Sequence, residues 1–268
     1  MPETACYSCA LVTGASSGLG EEFALQIAPR VGKLVLVARR ETLLHQVAAR
    51  IRAEFPHVAV AVFAVDLQNS AERERLAITL AERKFLPDLL VNNAGLGDYG
   101  EFASAEWDRI ESMLQVNMEA LTHLTYLLIP EMIRRDGGAI INVSSLASVI
   151  PIPDFAVYAA TKAYVSSLSE ALRIELREYG IAVLSVCPGP VKTGFGKVSQ
   201  RSEDAPCPSN KAFYVSKVQV VHEALLALDR KAARVYPGLK TAAAALVLAA
   251  LPMVVLRFAL GFRPRRNG

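Results

Sequence analysis

Short apolar runs along the chain alternate with longer stretches in which apolar residues recur at helical spacing. The runs are continuous, as expected for strands that are buried on both faces of a parallel sheet. They are Cys9–Val12, Lys33–Val37, Val58–Val65, Leu89–Val91, Ala139–Val143, Ile181–Val186 and Arg234–Tyr236. Strands and helices that alternate so regularly are typical of βαβ units. The pattern therefore predicts an α/β fold with a doubly wound parallel sheet of about seven strands and helices on both faces.

Helix-length segments lie between these runs, near 18–28, 41–54, 70–84, 106–134 and 157–178. Pro29 and Pro87 stand where two of these helices are predicted to end. Neither a repeat nor a low-complexity linker interrupts the pattern, so a single Rossmann-type domain is predicted over residues 1–240. The segment 194–215 is polar and weakly periodic, which favours a loop or lid that covers a bound molecule.

The composition is that of a folded globular protein, because 52% of the 268 residues are apolar and 21% are charged. The net charge of +3 is small and dispersed, so nucleic acid is not expected as a partner. Cys6 and Cys9 have the spacing of redox and zinc sites, but they lead directly into the first predicted strand. Packing in that strand is the favoured interpretation, and no metal site is predicted. The N-terminus lacks the pattern of a secretory signal, so a cytoplasmic location is expected.

A glycine-rich turn, Thr13–Gly20, separates the first predicted strand from the first predicted helix. Glycines in such a turn permit unusual φ angles and let the backbone approach a pyrophosphate, and the helix N-terminus favours the same anion. The turn predicts a dinucleotide site, although a tight turn without a ligand would have the same composition. The residues assigned to the site are Gly14, Ser16, Ser17, Gly18, Leu19 and Gly20. The two serines either donate to phosphate or cap the helix.

The end of the second predicted strand indicates which dinucleotide is bound. An NAD site usually carries an acid about 20 residues beyond the glycines, where it binds the ribose 2′-hydroxyl. The segment Val37–Arg40 contains no acid, and Arg39 can form a forked contact with a 2′-phosphate. NADP(H) is therefore predicted in preference to NAD(H). The alternative is a pair of solvated arginines, one of them paired with Glu41.

Tyr158 and Lys162 stand four residues apart on a predicted helix, so their side chains share one face. A free phenol has a pKa of about 10 and exchanges protons poorly at neutral pH. A neighbouring ammonium favours the phenolate, so the pair predicts an acid/base group whose pKa is lowered toward the working range. A surface tyrosine and lysine on an ordinary helix would show the same spacing. The glycine turn upstream favours the catalytic interpretation.

Together these motifs resemble those of the short-chain dehydrogenase/reductase family, in its single-domain branch, over residues 7–238. The matching segments occur in the family's order: Thr13–Gly20, Asp66-Leu67, Asn92–Gly95, Asn117, Ser144-Ser145, Tyr158 with Lys162, and Pro188-Gly189. The resemblance implies that Tyr158 is the general acid in carbonyl reduction and the general base in alcohol oxidation. It implies that Lys162 holds the nicotinamide ribose and lowers the pKa of the phenol.

The resemblance also assigns roles to other residues. Ser145, which lies 13 residues before Tyr158 and is therefore preferred over Ser144, would hydrogen bond to the substrate oxygen. Asn117 would bind a water that connects Lys162 to solvent. The further cofactor contacts that the resemblance implies are Asp66, Leu67, Asn93, Val191 and Thr193. Each polar residue also has a structural interpretation when taken alone: a helix kink at Asn117, a strand end at Ser145, and a tie between strands at Asn93.

Residues 241–268 form an apolar tail with a basic end. From Thr241 to Phe262 the only charged side chain is Arg257, and Arg263, Arg265 and Arg266 follow. A helix that is apolar on all sides does not lie exposed in water. We therefore expect residues 241–262 to meet a membrane surface, to pack on a partner subunit or on their own domain, or to span a membrane.

The sequence thus predicts an NADP(H)-dependent oxidoreductase that interconverts a carbonyl and an alcohol by hydride transfer. Its small-molecule substrate would be bound by residues 96–104, 146–157 and 194–215, and the apolar tail favours an apolar or lipid-like substrate. The family resemblance implies a homodimer or homotetramer. The alternatives are a non-catalytic NADP(H)-binding redox sensor and a membrane-associated scaffold on the same fold.

Overall fold

The computed structural model describes residues 7–201 and 214–261. Its centre is a parallel sheet of seven strands in the order β3-β2-β1-β4-β5-β6-β7. The strands are β1 (Tyr7–Thr13), β2 (Val31–Ala38), β3 (Ala59–Ala64), β4 (Leu89–Asn92), β5 (Gly138–Val143), β6 (Ile181–Val186) and β7 (Arg234–Val235). Each lies on one of the apolar runs, so the predicted doubly wound sheet is confirmed.

Ten α-helices accompany the sheet in the part of the chain that is described. They are α1 (Gly18–Ile27), α2 (Glu41–Glu54), α3 (Ser70–Glu82), α4 (Trp107–Leu114), α5 (Leu121–Arg134), α6 (Ala156–Glu175), α7 (Phe195–Ser199), α8 (Lys217–Asp229), α9 (Leu239–Ala250) and α10 (Met253–Gly261). The helix predicted near 106–134 is α4 and α5 joined by a π-helical segment, Gln115–Ala120. Two helices were missed. Helix α7 lies inside the predicted loop 194–215, and α8 carries Val220, Ala224 and Leu228 at helical spacing.

The helices cover both faces of the sheet, and alternate residues of each strand point to opposite layers. On β1, Ala10 and Val12 pack in the layer formed with α1, α2 and α8. Cys9 and Leu11 pack in the layer formed with α3 and α5. Because both faces are buried, the strands show continuous apolar runs rather than alternation.

The chain leaves β1 for β2 on one side of the sheet, and β4 pairs with β1 on the other side. In doubly wound sheets, the crevice at the carboxyl ends of two such strands is where ligands bind. The Thr13–Gly20 turn follows β1 and Asn93 follows β4. The topology therefore brings two of the sequence motifs to the same edge of the sheet.

The apolar tail forms two helices that are separated at Leu251 and Pro252. Thr241, Ala245 and Leu256 are buried against the domain. The helices in the described chain are all too short or too polar to cross a membrane. The basic end at 263–266, the cysteine at position 6 and the part of the loop at 202–213 lie outside the described residues.

Candidate active site

A cavity of about 1350 Å³ opens at the carboxyl edge of the sheet. Its wall includes the segments that follow β1 through β6, so the parallel strands deliver their loops to one place. The residues with a predicted role that line it are Gly14, Ser16, Ser17, Gly18, Leu19, Arg39, Asp66, Leu67, Asn93, Ser145, Tyr158, Lys162, Val191 and Thr193. Gly20 and Asn117 lie immediately behind this wall.

The glycine turn is shaped by close backbone approaches. Gly14 has φ +66°, and a Cβ there would lie 2.8 Å from Asn93 Nδ2. A Cβ on Gly20 would lie 2.2 Å from the carbonyl oxygen of Gly14. Asn93 Nδ2 donates to the carbonyl of Thr13 over 2.9 Å. Asn93 thus ties β1 to β4, as its structural interpretation expected, while it also lines the cavity.

Arg40, to which the sequence assigned no role, reaches into the glycine turn. Its Nη2 donates to Ser16 Oγ over 2.9 Å and to Ser17 Oγ over 2.6 Å. Ser17 occupies the N-cap position of α1, but its side chain makes no capping hydrogen bond. Arg39 is exposed on the cavity wall beside it. The signal for Arg40 was present in the sequence, since two adjacent arginines follow β2 and only one was assigned.

The residues after β3 form a rigid corner of the cavity. Asp66 Oδ1 accepts the backbone N–H of Gln68 over 3.1 Å. The carbonyl of Leu67 accepts a hydrogen bond from Arg73, whose side chain is buried and also pairs with Glu119. Arg73 therefore fixes the backbone at Leu67, and nothing in the sequence pattern singled it out.

Tyr158 lies in the first turn of α6, and Tyr158 and Ser145 both line the cavity. The Ser145 hydroxyl lies close enough to the phenol to lower its pKa as a hydrogen-bonding neighbour, and its Oγ accepts the backbone N–H of Ala147 over 3.1 Å. Ser144, in contrast, is buried, where its hydroxyl donates to the carbonyl of Lys162 over 2.8 Å and bonds to Ser166. The hydroxyl of Ser144 is therefore engaged inside the protein, and the role assigned to Ser145 stays a prediction.

The pKa values of Tyr158 and Lys162 differ from those expected from the sequence. Lys162 Nζ lies 5.7 Å from the centroid of the Tyr158 ring and donates to the carbonyl of Val143 over 2.9 Å. Burial raises the pKa of Tyr158 to about 12, and the hydrogen bond to Ser145 acts in the opposite direction. Burial lowers the pKa of Lys162 to about 8. In the protein alone, desolvation outweighs the expected lowering of the phenol pKa by the ammonium, because both groups are buried.

Asn117 stands within the π-helical segment between α4 and α5. Its Oδ1 accepts the N–H of Leu96 over 2.8 Å, and its Nδ2 donates to the carbonyl of Leu96 over 2.9 Å and to Thr161. A Cβ on Gly95 would lie 3.4 Å from both Asn117 Oδ1 and Lys162 Nζ. The glycine thus lets the amide and the amine converge beside the cavity. π-Helical turns of this kind are frequent at functional sites.

Aromatic and aliphatic side chains form the other half of the cavity. Phe155 stacks on Tyr158 with ring centroids 4.2 Å apart, and the Phe195 ring lies 5.6 Å from Tyr158. Tyr99 packs edge-on against Phe155. These three aromatic residues come from the segments 96–104, 146–157 and 194–215, as expected for a substrate wall. Ala244 and Leu248 of α9 complete it, so the tail contributes to the site directly.

Cys9, His45 and His123 each contact neighbouring groups of the protein. Cys9 is buried in β1, where its thiol donates to the carbonyl of Phe85 and burial raises its pKa to about 12. His123 accepts a hydrogen bond from Arg73, and His45 lies near Glu41 on the surface of α2. Within residues 7–201 and 214–261, no group of side chains is arranged to hold a metal ion.

Comparison with known proteins identifies the family. Residues 8–204 match the short chain dehydrogenase family, and the chain belongs to it. The very-long-chain 3-oxoacyl-CoA reductase of Bos taurus is 34% identical over 203 residues, 74% of this chain and 64% of that protein. Its Homo sapiens counterpart is 32% identical over 216 residues, 79% and 68% of the two chains. The chain therefore spans about two thirds of the length of these relatives.

Solved structures match nearly the whole chain. A short-chain dehydrogenase from Sphingobium yanoikuyae in complex with NADPH has a TM-score of 0.79 and 31% identity, and the match covers 97% of this chain and 98% of that one. A bulky-bulky ketone specific alcohol dehydrogenase from Comamonas testosteroni has a TM-score of 0.76 and 29% identity, covering 97% and 96%. The fold and the family are thus established independently of the motifs.

The residues at the cavity fit a phosphorylated dinucleotide. The turn before α1 needs glycine because a Cβ on Gly14 or Gly20 would collide with neighbouring protein atoms, and it lines the cavity at a helix N-terminus, which favours a pyrophosphate. Two adjacent arginines, Arg39 and Arg40, follow β2 and line the cavity. A 2′-phosphate would find cationic donors at this position.

Proposed function

We propose that this protein is an NADP(H)-dependent oxidoreductase that reduces an apolar ketone to an alcohol. The observation that carries the proposal is the convergence of Ser145, Tyr158 and Lys162 on one cavity wall, with Lys162 Nζ 5.7 Å from the centroid of the Tyr158 ring. The two arginines after β2 support NADP(H), as does the NADPH complex of the Sphingobium yanoikuyae relative.

Bound NADPH would supply the hydride for the carbonyl carbon. Tyr158 would donate its hydroxyl proton to the carbonyl oxygen, and Ser145 would hold that oxygen as negative charge develops on it. Lys162 would bind the nicotinamide ribose, and Asn117 would hold a water on the path by which the proton is replaced. Arg39 and Arg40 would bind the 2′-phosphate, while Asp66, Leu67, Asn93, Val191 and Thr193 would position the rest of the dinucleotide.

The high pKa of Tyr158 suits a proton donor. A phenol with a pKa of about 12 keeps its proton at neutral pH, as a proton donor to a developing alkoxide must. Alcohol oxidation needs the phenolate, which burial makes scarce at the same pH. We therefore propose that the initial rate of alcohol oxidation rises with pH, while phenol ionisation does not limit the rate of ketone reduction near neutrality.

The cavity wall supports an apolar and lipid-like substrate. Aromatic rings lie on both sides of Tyr158, and the apolar helix α9 closes the cavity. The names of the curated relatives, very-long-chain 3-oxoacyl-CoA reductases, point to long acyl chains in those proteins. A long-chain ketone or 3-oxoacyl group is the substrate class that we propose for this chain.

The proposal is tested by replacing the phenol. We expect Tyr158→Phe to lower kcat for ketone reduction by about 100- to 10,000-fold, because the proton donor is lost. NADPH binding, followed by the fluorescence of the bound cofactor, should be retained. Tyr126→Phe, at an exposed tyrosine of α5 that does not line the cavity, is the matched control. Full reductase activity of Tyr158→Phe on a panel of ketones would refute the assigned mechanism, whereas NADPH binding without reduction of any ketone by the wild type would favour the redox-sensor alternative.

The cofactor assignment has a separate test. Arg39→Asp and Arg40→Asp should each raise the KM for NADPH, relative to the KM for NADH, by about 10- to 100-fold. The reason is that each variant loses a charged hydrogen bond to the 2′-phosphate. The comparison needs initial rates with both cofactors on one ketone. Arg52→Asp, on α2 and remote from the cavity, is the control. An unchanged cofactor preference in both variants would refute the 2′-phosphate site.

The oligomeric state and the cytoplasmic location stay predictions.

A further inference from the structure

The outward face of the tail is apolar and exposed. Seven large apolar side chains of α9 and α10 are exposed: Leu239, Leu246, Val247, Met253, Val254, Val255 and Phe258. Leu246, Val247 and Val254 are exposed by 74%, 62% and 69%. Contiguous apolar surface on a globular protein marks an interaction site.

The tail is fixed to the domain along its opposite side. Thr241 and Ala245 on α9 and Leu256 on α10 are buried. At the start of α9, the N–H of Gly238 donates to Glu223 Oε2 on α8 over 3.0 Å. The exposed side chains are therefore presented on helices that are held in place.

The charge of this segment identifies the partner. From Leu239 to the end of the chain there are five basic side chains and no acidic one: Lys240, Arg257, Arg263, Arg265 and Arg266. Lys240 and Arg257 are exposed beside the apolar face. Basic side chains around an apolar surface attract anionic lipid headgroups. A symmetric contact with a second copy would instead bring like charges together.

We propose that the exposed face of α9 and α10 docks the protein on the surface of a membrane that contains anionic lipids. Neither helix is long enough to cross a bilayer, so the two helices would lie in the plane of the headgroups. On its other side, α9 places Ala244 and Leu248 on the cavity wall. Docking would thus put the wall of the substrate cavity against lipid. That last consequence rests on the proposed function, whereas docking itself does not.

The test is sedimentation of the full-length protein with lipid vesicles. We expect binding to vesicles of phosphatidylglycerol and phosphatidylcholine, weaker binding to phosphatidylcholine alone, and loss of the difference at high salt. Leu246→Glu combined with Val254→Glu should weaken binding about tenfold or more, since charges enter the apolar face. Lys240→Glu combined with Arg257→Glu should weaken binding only to the anionic vesicles. Ile78→Glu, on the exposed side of α3, is the control for an added surface charge.

Absence of wild-type binding to the anionic vesicles would overturn the proposal, as would equal loss of binding in the Ile78→Glu control. A change of oligomeric state in the Leu246/Val254 variant, with vesicle binding unaltered, would show that a second copy covers the face. Melting temperatures and NADPH-dependent reduction of a water-soluble ketone should stay at wild-type values in both double variants. If vesicle binding persists in a protein that reduces no ketone, docking stands and the proposed function fails.

Discussion

At the scale of single residues, the site is governed by burial. Tyr158 and Lys162 are both almost inaccessible to solvent, and burial shifts the pKa of each toward its neutral form, upward for the phenol and downward for the amine. The spacing in the sequence correctly places the phenol and the amine on one face of α6. It gives no measure of desolvation, because desolvation depends on the strands and loops that close around the helix. The expected lowering of the phenol pKa is therefore absent from the protein alone.

The buried amine makes stability depend on pH. The pKa of Lys162 falls from its usual 10.5 to about 8 on folding, so the unfolded chain binds more protons between these values. Stability from this group therefore rises with pH in that window, and its cost is fully present below it. We expect Lys162→Met to stabilise the protein relative to wild type by up to about 3 kcal/mol near neutral pH, less the lost hydrogen bond to Val143.

This gain should shrink as the pH approaches about 10, because the wild-type penalty disappears there. The difference in the free energy of unfolding between Lys162→Met and wild type is measured by denaturant unfolding of the ligand-free proteins at several pH values from neutrality to about 10. Lys192→Met, at an exposed lysine, should show no such trend. A difference between Lys162→Met and wild type that is constant with pH would contradict the assignment of burial as the cause.

At the scale of elements, ion pairs hold the substrate loop to its neighbours. Asp98, buried after β4, accepts hydrogen bonds from Arg109 on α4 over 3.0 Å and from Arg201 after α7 over 2.6 Å. Arg201 also donates to the carbonyl of Glu101. Beside them, the N–H of Tyr99 donates to the carbonyl of Ser199. The contacts link two segments of the cavity wall that are about a hundred residues apart in the chain.

We expect Asp98→Asn to loosen this wall. The asparagine amide takes the place of the Asp98 carboxylate but lacks the negative charge that pairs with Arg109 and Arg201. The loss of this charge costs about 1–3 kcal/mol of stability. The KM for ketones should rise while the affinity for NADPH stays unchanged, since the glycine turn lies at the other end of the cavity. Rates at varied ketone concentration and a cofactor titration separate the two effects. Asp108→Asn, an exposed change on α4, should alter neither, and an equal loss of NADPH affinity would argue against a local role.

Most of the helices and strands could be predicted from the sequence, whereas some short elements and long-range contacts could not. All seven strands were predicted because their apolar runs are continuous, and α1 through α6 because their apolar residues follow a helical period. Helix α7 was missed because five residues are too few to show that period. The role of Arg40 was also missed, although its position beside Arg39 was a signal. Arg73 and Asp98 were missed because each acts through a partner distant in sequence, Glu119 and Arg201, which no local pattern contains.

At the scale of the whole molecule, the tail and the Rossmann-type domain form one site. The sequence divided the chain into a catalytic domain and an appended apolar segment, with the fate of that segment left open. In the structure, the inner face of α9 packs on the domain and reaches the cavity through Ala244 and Leu248. The inner face of α9 thus lies toward the domain, and which partner the rest of the tail meets stays a prediction.

The length of the cavity toward α9 should set the preference for long substrates. Each methylene that is buried contributes about 0.8 kcal/mol, or about fourfold in kcat/KM, until the wall is reached. Ala244→Phe would bring that wall inward, so long-chain methyl ketones should lose their advantage while the shortest ones react as before. Ala243→Phe, exposed on the outer side of the same helix, is the matched control. If a homologous series of ketones gives the same chain-length profile for Ala244→Phe and wild type, α9 is no part of the substrate site, and the link between the tail and a lipid-like substrate fails with it.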